Sequence, residues 1–460
     1  MAERIDELVA DLQDQRHAYN GNEVYYRHGG GDPYMPAGAR AEYQRLVQEA
    51  AANWCELIID VVVERLVVEG FRTAGSTEAV GELWSWWQAN KLDGRQSALY
   101  TDALVGGVSY VGVWPAEDAS SSPPKITVET PRAVLVVHDE ADPTMALEAV
   151  KVGPDQTWHY TPDTVTIYEA RHGGGGLVMV EDFANPLGEV PFVAFKTKPN
   201  GAGVPTSDLE SARPIQDRIT TTTFDRLIAQ KYAAFRQRWV TGMAIPVDDD
   251  GEAIEPFQAA VDRLWMSEDP DTSFGEFQES NLAGYIAAVD QDIQTLASTT
   301  RTPPHYLLGK IVNLSADALK AAETGLTSKV RRRQVEYGEA WEAVVNLAAI
   351  AAGQPELVDD GLETIWANTE AQSEAQVVDA ALKLDALGVP REAIWERIGA
   401  SPQQIDAWRR QRMREALRSA VSAPIDLGGG RPPATAVLAG QAPPTGSTPA
   451  ANGSEPAPAQ

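Results

Sequence analysis

Cysteine occurs once in the 460 residues, at Cys55, so no intrachain disulfide and no cysteine-based metal cluster can form. Its neighbours Trp54, Leu57 and Ile58 make it a core residue. Basic residues are also few: 38 Lys and Arg stand against 66 Asp and Glu, a net charge of −28. A surface this acidic repels phosphate, which excludes a tight basic grip on nucleic acid but not DNA sliding past. No apolar run approaches the roughly 18 residues of a membrane span. The start, Met1-Ala2-Glu3-Arg4-Ile5-Asp6-Glu7, is too charged for a secretory signal, so a soluble chain made in the cytosol is expected.

Catalytic and metal motifs are missing as well. The six histidines include no pair three or four residues apart, which excludes a helix-borne metal pair. The single Gly-Lys pair, Gly309-Lys310, has Pro304 where a phosphate-binding loop needs glycine and Ile311 where it needs Ser or Thr. Gly107-Val108-Ser109-Tyr110-Val111 fails the nucleophile elbow at its last position. The acidic stretch 248–252 is no calcium loop, because setting Gly251 at the turn puts Pro246 first and Phe257 twelfth. A hairpin turn is the expectation there. His138-Asp139-Glu140-Ala141-Asp142 is expected to be a solvated strand end rather than a metal site. No cofactor is expected, and no enzyme. A hydrolase would need clustered acids with shifted pKa values in a pocket.

What is present is an ordinary globular mix, 43% apolar and 23% charged, long enough for two to four structural units. The first ~100 residues read as helices. Residues 41–69 place Leu46, Val47, Ala50, Trp54, Leu57, Ile58, Val61 and Val62 at helical spacing. Residues 78–90 add Leu83, Trp84 and Trp87, expected in a core. From Val108 to Phe195 the period changes to two, in seven runs: 108–114, 125–129, 133–138, 146–152, 164–170, 177–181 and 191–195. The glycines 173–176 read as a hairpin tip.

Helical spacing returns at Ser207-Asp208-Leu209-Glu210, a capping-box pattern, with Pro214 expected to kink the helix that follows. A short β segment follows over 238–257, then a helix over 281–300 that Thr302-Pro303-Pro304 stops. Residues 315–352 carry the longest helical pattern, with one apolar step of seven between Val330 and Tyr337. Three short helices follow, punctuated by Gly388, Gly399 and Ser401-Pro402. In 424–460, Pro, Gly and Ala supply 22 of 37 residues, which predicts a disordered tail. The densest basic cluster is Lys329 with Arg331, Arg332 and Arg333. Three consecutive helical positions fan over about 200° and cannot form one strip. A solvated or intersubunit face and a DNA-phosphate contact both stand open.

One ordered series of motifs is more specific. It runs from Gly203-Val204-Pro205-Thr206-Ser207-Asp208-Leu209-Glu210 through Pro214-Ile215-Gln216-Asp217-Arg218 to Gln237-Arg238-Trp239-Val240-Thr241-Gly242. It resumes at Ile293-Gln294-Thr295-Leu296-Ala297 and continues through Thr302-Pro303-Pro304-His305-Tyr306-Leu307-Leu308-Gly309. It closes with Asn313-Leu314-Ser315-Ala316-Asp317-Ala318-Leu319-Lys320-Ala321-Ala322-Glu323. In order and spacing this resembles the portal proteins of tailed bacteriophages, in their long-tailed-phage branch.

The resemblance implies a helix-rich α+β protomer. Its parts would be an α/β wing (1–206), a first stem helix (207–235), a small α/β clip (236–280) and a second stem helix (281–302). A tunnel loop (303–314), a long spine helix (315–353), a helical crown (354–421) and the tail (422–460) would follow. It implies a ring, usually of twelve copies, at one capsid vertex of the virion, assembled in the host cytoplasm. Double-stranded DNA would pass through the ring without sequence specificity. The packaging motor (terminase), the head–tail adaptor and the major capsid or scaffold protein would be its partners; no membrane is involved. Gly309, Lys310, Ile311, Val312 and Asn313 would face the channel, with Lys310 and Asn313 nearest the DNA backbone; alternatively the loop only braces neighbouring subunits. Arg238, Trp239 and Trp265 would make clip contacts, or be buried within one clip. A competing reading is a minor head or scaffold protein with no channel.

Overall fold

The computed structural model describes residues 2–33, 41–74, 80–116, 123–171, 176–234, 238–242, 270–276, 281–309, 316–369 and 374–422. The chain opens with helix α1 (Ala2–His28). The single helix expected over 41–69 is two, α2 (Ala41–Ala50) and α3 (Trp54–Val63). Asn53 caps the second, its side-chain oxygen accepting from the Glu56 amide at 3.2 Å. The Val61–Val63 run then ends α3, and an unexpected strand follows, β1 (Val68–Thr73).

Helices α4 (Gly81–Ala89) and α5 (Leu92–Gly106) lead to strand β2 (Val108–Trp114) through Gly107, at φ +92°. A Cβ there would lie 3.2 Å from the Ser207 amide, so the close approach of that later turn favours glycine. The β-rich region then has seven further strands: β3 (Lys125–Glu129), β4 (Val134–His138), β5 (Ala146–Val152), β6 (Gln156–Tyr160), β7 (Thr164–Ala170), β8 (Leu177–Ala184) and β9 (Phe192–Lys196). All seven expected runs are strands, and β6, of which Gln156, Thr157 and His159 are polar, adds one that was not expected. β3, β2 and β9 form one antiparallel sheet, and β4 to β8 form a five-stranded meander. The tip of the β7–β8 hairpin at 172–175 lies outside the described residues. The acidic stretch after His138 is a turn: Asp139 accepts from the Ala141 and Asp142 amides, and Asp142 from Thr144. Among the described residues no three His, Cys, Asp or Glu side chains group as metal ligands. His138 itself is half-buried, not solvated; burial and then the Lys196 charge push its imidazole down to about 4.

In the second half, α6 (Arg213–Ala234) precedes the strand pair β10 (Arg238–Thr241) and β11 (Ser273–Glu276), and α7 (Leu282–Thr300) follows it. Helices α8 (Pro304–Leu308) and α9 (Ala316–Ala351) come next; α9 is about 54 Å long at 1.5 Å per residue. The stretch expected to open an all-helical region instead yields β12 (Leu362–Trp366), which pairs antiparallel with β1 far back in sequence. Helices α10 (Glu374–Ala386), α11 (Arg391–Arg397) and α12 (Pro402–Ser422) complete the described chain. No described helix is long and apolar enough to cross a membrane.

Contacts divide the chain into two units, 1–407 and 408–460. In the second, residues 408–422 are described; they are helical, with Met413 and Leu417 exposed. The first unit holds the main core, built on α9. Trp341 is fully buried there, donates to the Tyr100 hydroxyl at 2.7 Å, and meets Trp87 and Phe195 edge-on at 4.7 and 4.9 Å. Tyr337 stacks on Tyr100 one turn away. Trp87 and Cys55 are core residues as expected, and burial pushes the Cys55 thiol up to about 12.

Trp341→Ala should cost about 3–5 kcal/mol. Chemical denaturation measures this, and Trp341→Phe should recover part of the loss by refilling the ring volume.

Candidate functional site

The described residues of the motifs at 207–218, 293–297 and 302–309 converge where α6, α7, α8 and α9 meet. The expected capping box does not form. Ser207 is buried, accepts from the Leu209 amide at 3.0 Å and donates to the Val105 carbonyl at 2.7 Å, so residues 207–212 are a turn strapped to the end of α5. Helix α6 starts at Arg213, later than the expected 207. Pro214 falls in its first turn, where the missing N–H costs nothing and no kink arises.

Asp208, in that turn, is a buried carboxylate that sequence reasoning did not single out. Lys198 Nζ lies 2.5 Å from one of its oxygens and Arg333 Nη2 3.2 Å from the same one. Lys329 Nζ stands 3.0 Å from the other oxygen, close as an ion pair but off-axis for a hydrogen bond. Lys329 also donates to the Thr300 carbonyl at the end of α7, at 3.3 Å. Arg333 pairs in addition with Glu336. Burial alone would raise the Asp208 carboxyl, but the Lys329, Arg333 and Lys198 charges override it and hold it well below the carboxylate range. Burial pulls the Lys329 amine down, against the pull of Asp208.

The basic cluster is therefore not one face. Lys329 and Arg333 turn inward and are buried, which corrects the expectation of a solvated, intersubunit or DNA-contacting surface for those two. The cause is helical spacing: Arg333 fills the inward slot between Val330 and Tyr337 that the apolar pattern skipped. Arg331 and Arg332 are exposed, and Arg332 pairs with Glu336 at 2.9 Å.

The motif Pro214-Ile215-Gln216-Asp217-Arg218 ties α6 to three neighbours. Fully buried Gln216 donates to the Ala52 carbonyl at 2.7 Å and accepts from the Trp54 amide at 3.2 Å, which holds the break between α2 and α3. Asp217 accepts from the Tyr25 hydroxyl at 2.8 Å. Arg218, near the start of α6, pairs with Asp292 in the second half of α7 at 2.7 Å, while the end of α6 and the start of α7 adjoin the paired strands β10 and β11, so the two helices run antiparallel.

The expected loop 303–314 begins as helix, not loop. Pro303 and Pro304 stop α7 and supply the first turn of α8. Tyr306 fixes α8 in place: its hydroxyl accepts from Arg65 at 2.9 Å and reaches Glu323 on α9 at 3.3 Å. Gly309 ends α8 at φ +61°, and a Cβ there would meet nothing within 4 Å among the described residues. Lys310, Ile311, Val312 and Asn313 lie outside the described residues. In the β10–β11 ladder Trp239 faces Gly275, and a Cβ on Gly275 would come within 2.2 Å of the indole. Trp239 thus lies across its own ladder and is still 37% exposed. The backbone of Arg238 stands opposite that of Glu276 in the same ladder. Trp265 and the acidic turn at 248–251 lie outside the described residues.

Asp208→Asn should destabilise the fold by about 3–5 kcal/mol at neutral pH, because it leaves buried cations uncompensated. The wild-type carboxyl sits below its unfolded value of about 3.9, so its contribution is complete above that pH and lost as pH falls further. Denaturation curves between pH 7 and pH 2 should show the wild type losing this increment below about pH 4 and the variant lacking it.

A family model described as "Phage portal protein, SPP1 Gp6-like" matches residues 3–416. The portal protein of Mycobacterium phage D29 is 31% identical over 445 residues, covering 89% of this chain and 88% of that relative. The portal protein of Mycobacterium phage L5 is 29% identical over 444 residues, with the same coverage. Among solved structures, a chain from the virion of the native gene transfer agent particle aligns over 80% of this chain and 94% of its own length, at TM-score 0.43 and 13% identity. A chain from the neck of the same kind of particle aligns over 83% and 98%, at TM-score 0.39 and 13% identity. With the family model spanning nearly the whole chain and two phage portal proteins matching most of its length, the chain belongs to the phage portal protein family and has a phage portal protein's function.

Proposed function

We propose that twelve copies of this chain close into a ring at one capsid vertex and form the channel through which genomic DNA is packaged and ejected. The observation that carries the reading is the antiparallel pair α6 and α7, which brackets the small β10–β11 ladder and then feeds through α8 into the long α9. In this reading α6 and α7 are the stem and β10–β11 belong to the clip, which docks the packaging motor and later the head–tail adaptor. The first ~200 residues, with β12 added to them, are the wing. Helix α9 is the spine, and α10 to α12 form the crown. The segment after Gly309 is the tunnel loop, with Lys310 and Asn313 nearest the DNA backbone. Arg238, Trp239 and Trp265 make contacts at the clip, and Arg331 and Arg332 remain as outward-facing cations of the spine.

The charge supports this arrangement. Each basic contact to DNA releases counterions and adds affinity, so a basic channel would hold DNA at low salt; an acidic one with few cations lets it pass. The role is structural, with the chemical work left to the motor. A scaffold protein without a channel gains no support from a portal-family match over residues 3–416.

Heads assembled without the chain should contain no genome, whereas heads with Lys310→Glu should assemble normally but give fewer DNA-filled particles. Sedimentation of full and empty particles measures both. Genome-filled heads lacking the chain would overturn the channel; unchanged filling and retention with Lys310→Glu would remove Lys310 from the DNA path.

A further inference from the structure

The five-stranded sheet ends in β8, whose one hydrogen-bonded neighbour among the described residues is β7. Every residue from Val178 to Ala184 is exposed. Four of them are large and apolar: Val178, Met179, Val180 and Phe183 are 41–56% exposed. Helix α1 covers the sheet only in part: Ile5, Leu8 and Leu12 pack on Val150 and Tyr168, and Leu177 is the one residue of β8 in that cluster. An uncovered apolar edge of this length is a ready template for another strand.

We propose that β8 takes up an extended, basic segment of a different protein by strand addition, continuing the β4–β8 sheet by one strand. Backbone pairing would supply the affinity, and alternate side chains the choice of partner. The charge on the edge selects that partner. Neither β8 nor β7 contains Lys or Arg, while β8 carries Glu181 and Asp182 and β7 ends near Glu169. Glu181 has no ion pair among the described residues, and Asp182 accepts the Thr166 hydroxyl at 2.9 Å. A second copy of β8 is the wrong occupant. In the register that centres on its two acids it would set acid against acid across the new pair, and the extra residue at Val180, where the β7–β8 register shifts, breaks the regular ladder. Two-fold pairing of identical edges would also close as a dimer and could not propagate around a ring. The inference rests on the edge itself and stands whether or not the channel reading holds.

The test uses the full chain and a fluorescein-labelled peptide, Lys-Val-Lys-Val-Thr-Val-Lys-Val. Because the whole protein is acidic, two comparison probes matter. One replaces Lys by Glu; the other keeps the charge but replaces alternate valines by proline and cannot pair as a strand. Fluorescence anisotropy should give tenfold or greater preference for the first peptide over both. Glu181→Lys, at an exposed position, should weaken binding about fivefold. Hydrogen exchange should show new protection confined to β8. Equal binding of the proline probe would reduce the effect to general charge attraction and overturn the proposal. Failure of the first peptide to bind, protection elsewhere, no change with Glu181→Lys, or self-association cross-linked through β8 would overturn it as well.

Discussion

The buried carboxylate of Asp208 governs how the two halves of the first unit meet. Lys198 reaches it from just past β9, and Lys329 and Arg333 reach it from α9, while Lys329 also takes the terminal carbonyl of α7. Three cations and two carboxylates, Asp208 and Glu336, share one site, with Asp208, Lys329 and Arg333 buried and Lys198 entering from its partly exposed side. Such a cluster pays desolvation for every charge and is weak as a source of net stability. Its effect is positional. Any slide of α9 against the turn before α6 would strip a buried charge of its partner, so the cluster fixes one register for the long helix. The aromatic core around Trp341, two turns further along α9, can then pack in one way.

That fixed register carries into the parts closest to the proposed channel. Gln216 locks the start of α6 to the α2–α3 break, Arg218 ties α6 to α7, and Tyr306 holds α8 between Arg65 and Glu323 of α9. The segment after Gly309 therefore leaves from a rigid base, and the β10–β11 ladder is carried by two helices anchored at the same junction. In the proposed ring, whose loops would hold a common radius around DNA, the junction would meet that mechanical demand.

Much of this was legible in the sequence because it is local. The period of two over 108–195 marked every strand except β6, and the prolines at 303–304 marked the end of α7. What escaped depends on contacts far apart in the chain. Strands β1 and β12 stabilise each other across nearly 300 residues, and neither has enough alternation to stand out alone. The break at 51–53 is held by Gln216, out of reach of any local pattern. Ser207 to Glu210 matched a capping box, yet the hydroxyl was drawn to α5 and the aspartate to α9. One signal for the buried cluster was present: the skipped apolar step between Val330 and Tyr337 marks an inward position, and Arg333 occupies it. An arginine in a core slot demands a buried acid, and Asp208 is that acid.

The central claim is that this junction positions stem, loop and clip for assembly into a ring around DNA. The most direct measurement is the native mass of the purified full-length chain, together with negative-stain images of the same sample. The account predicts particles of about twelve copies with an open centre. A closed dimer without a central hole would contradict it.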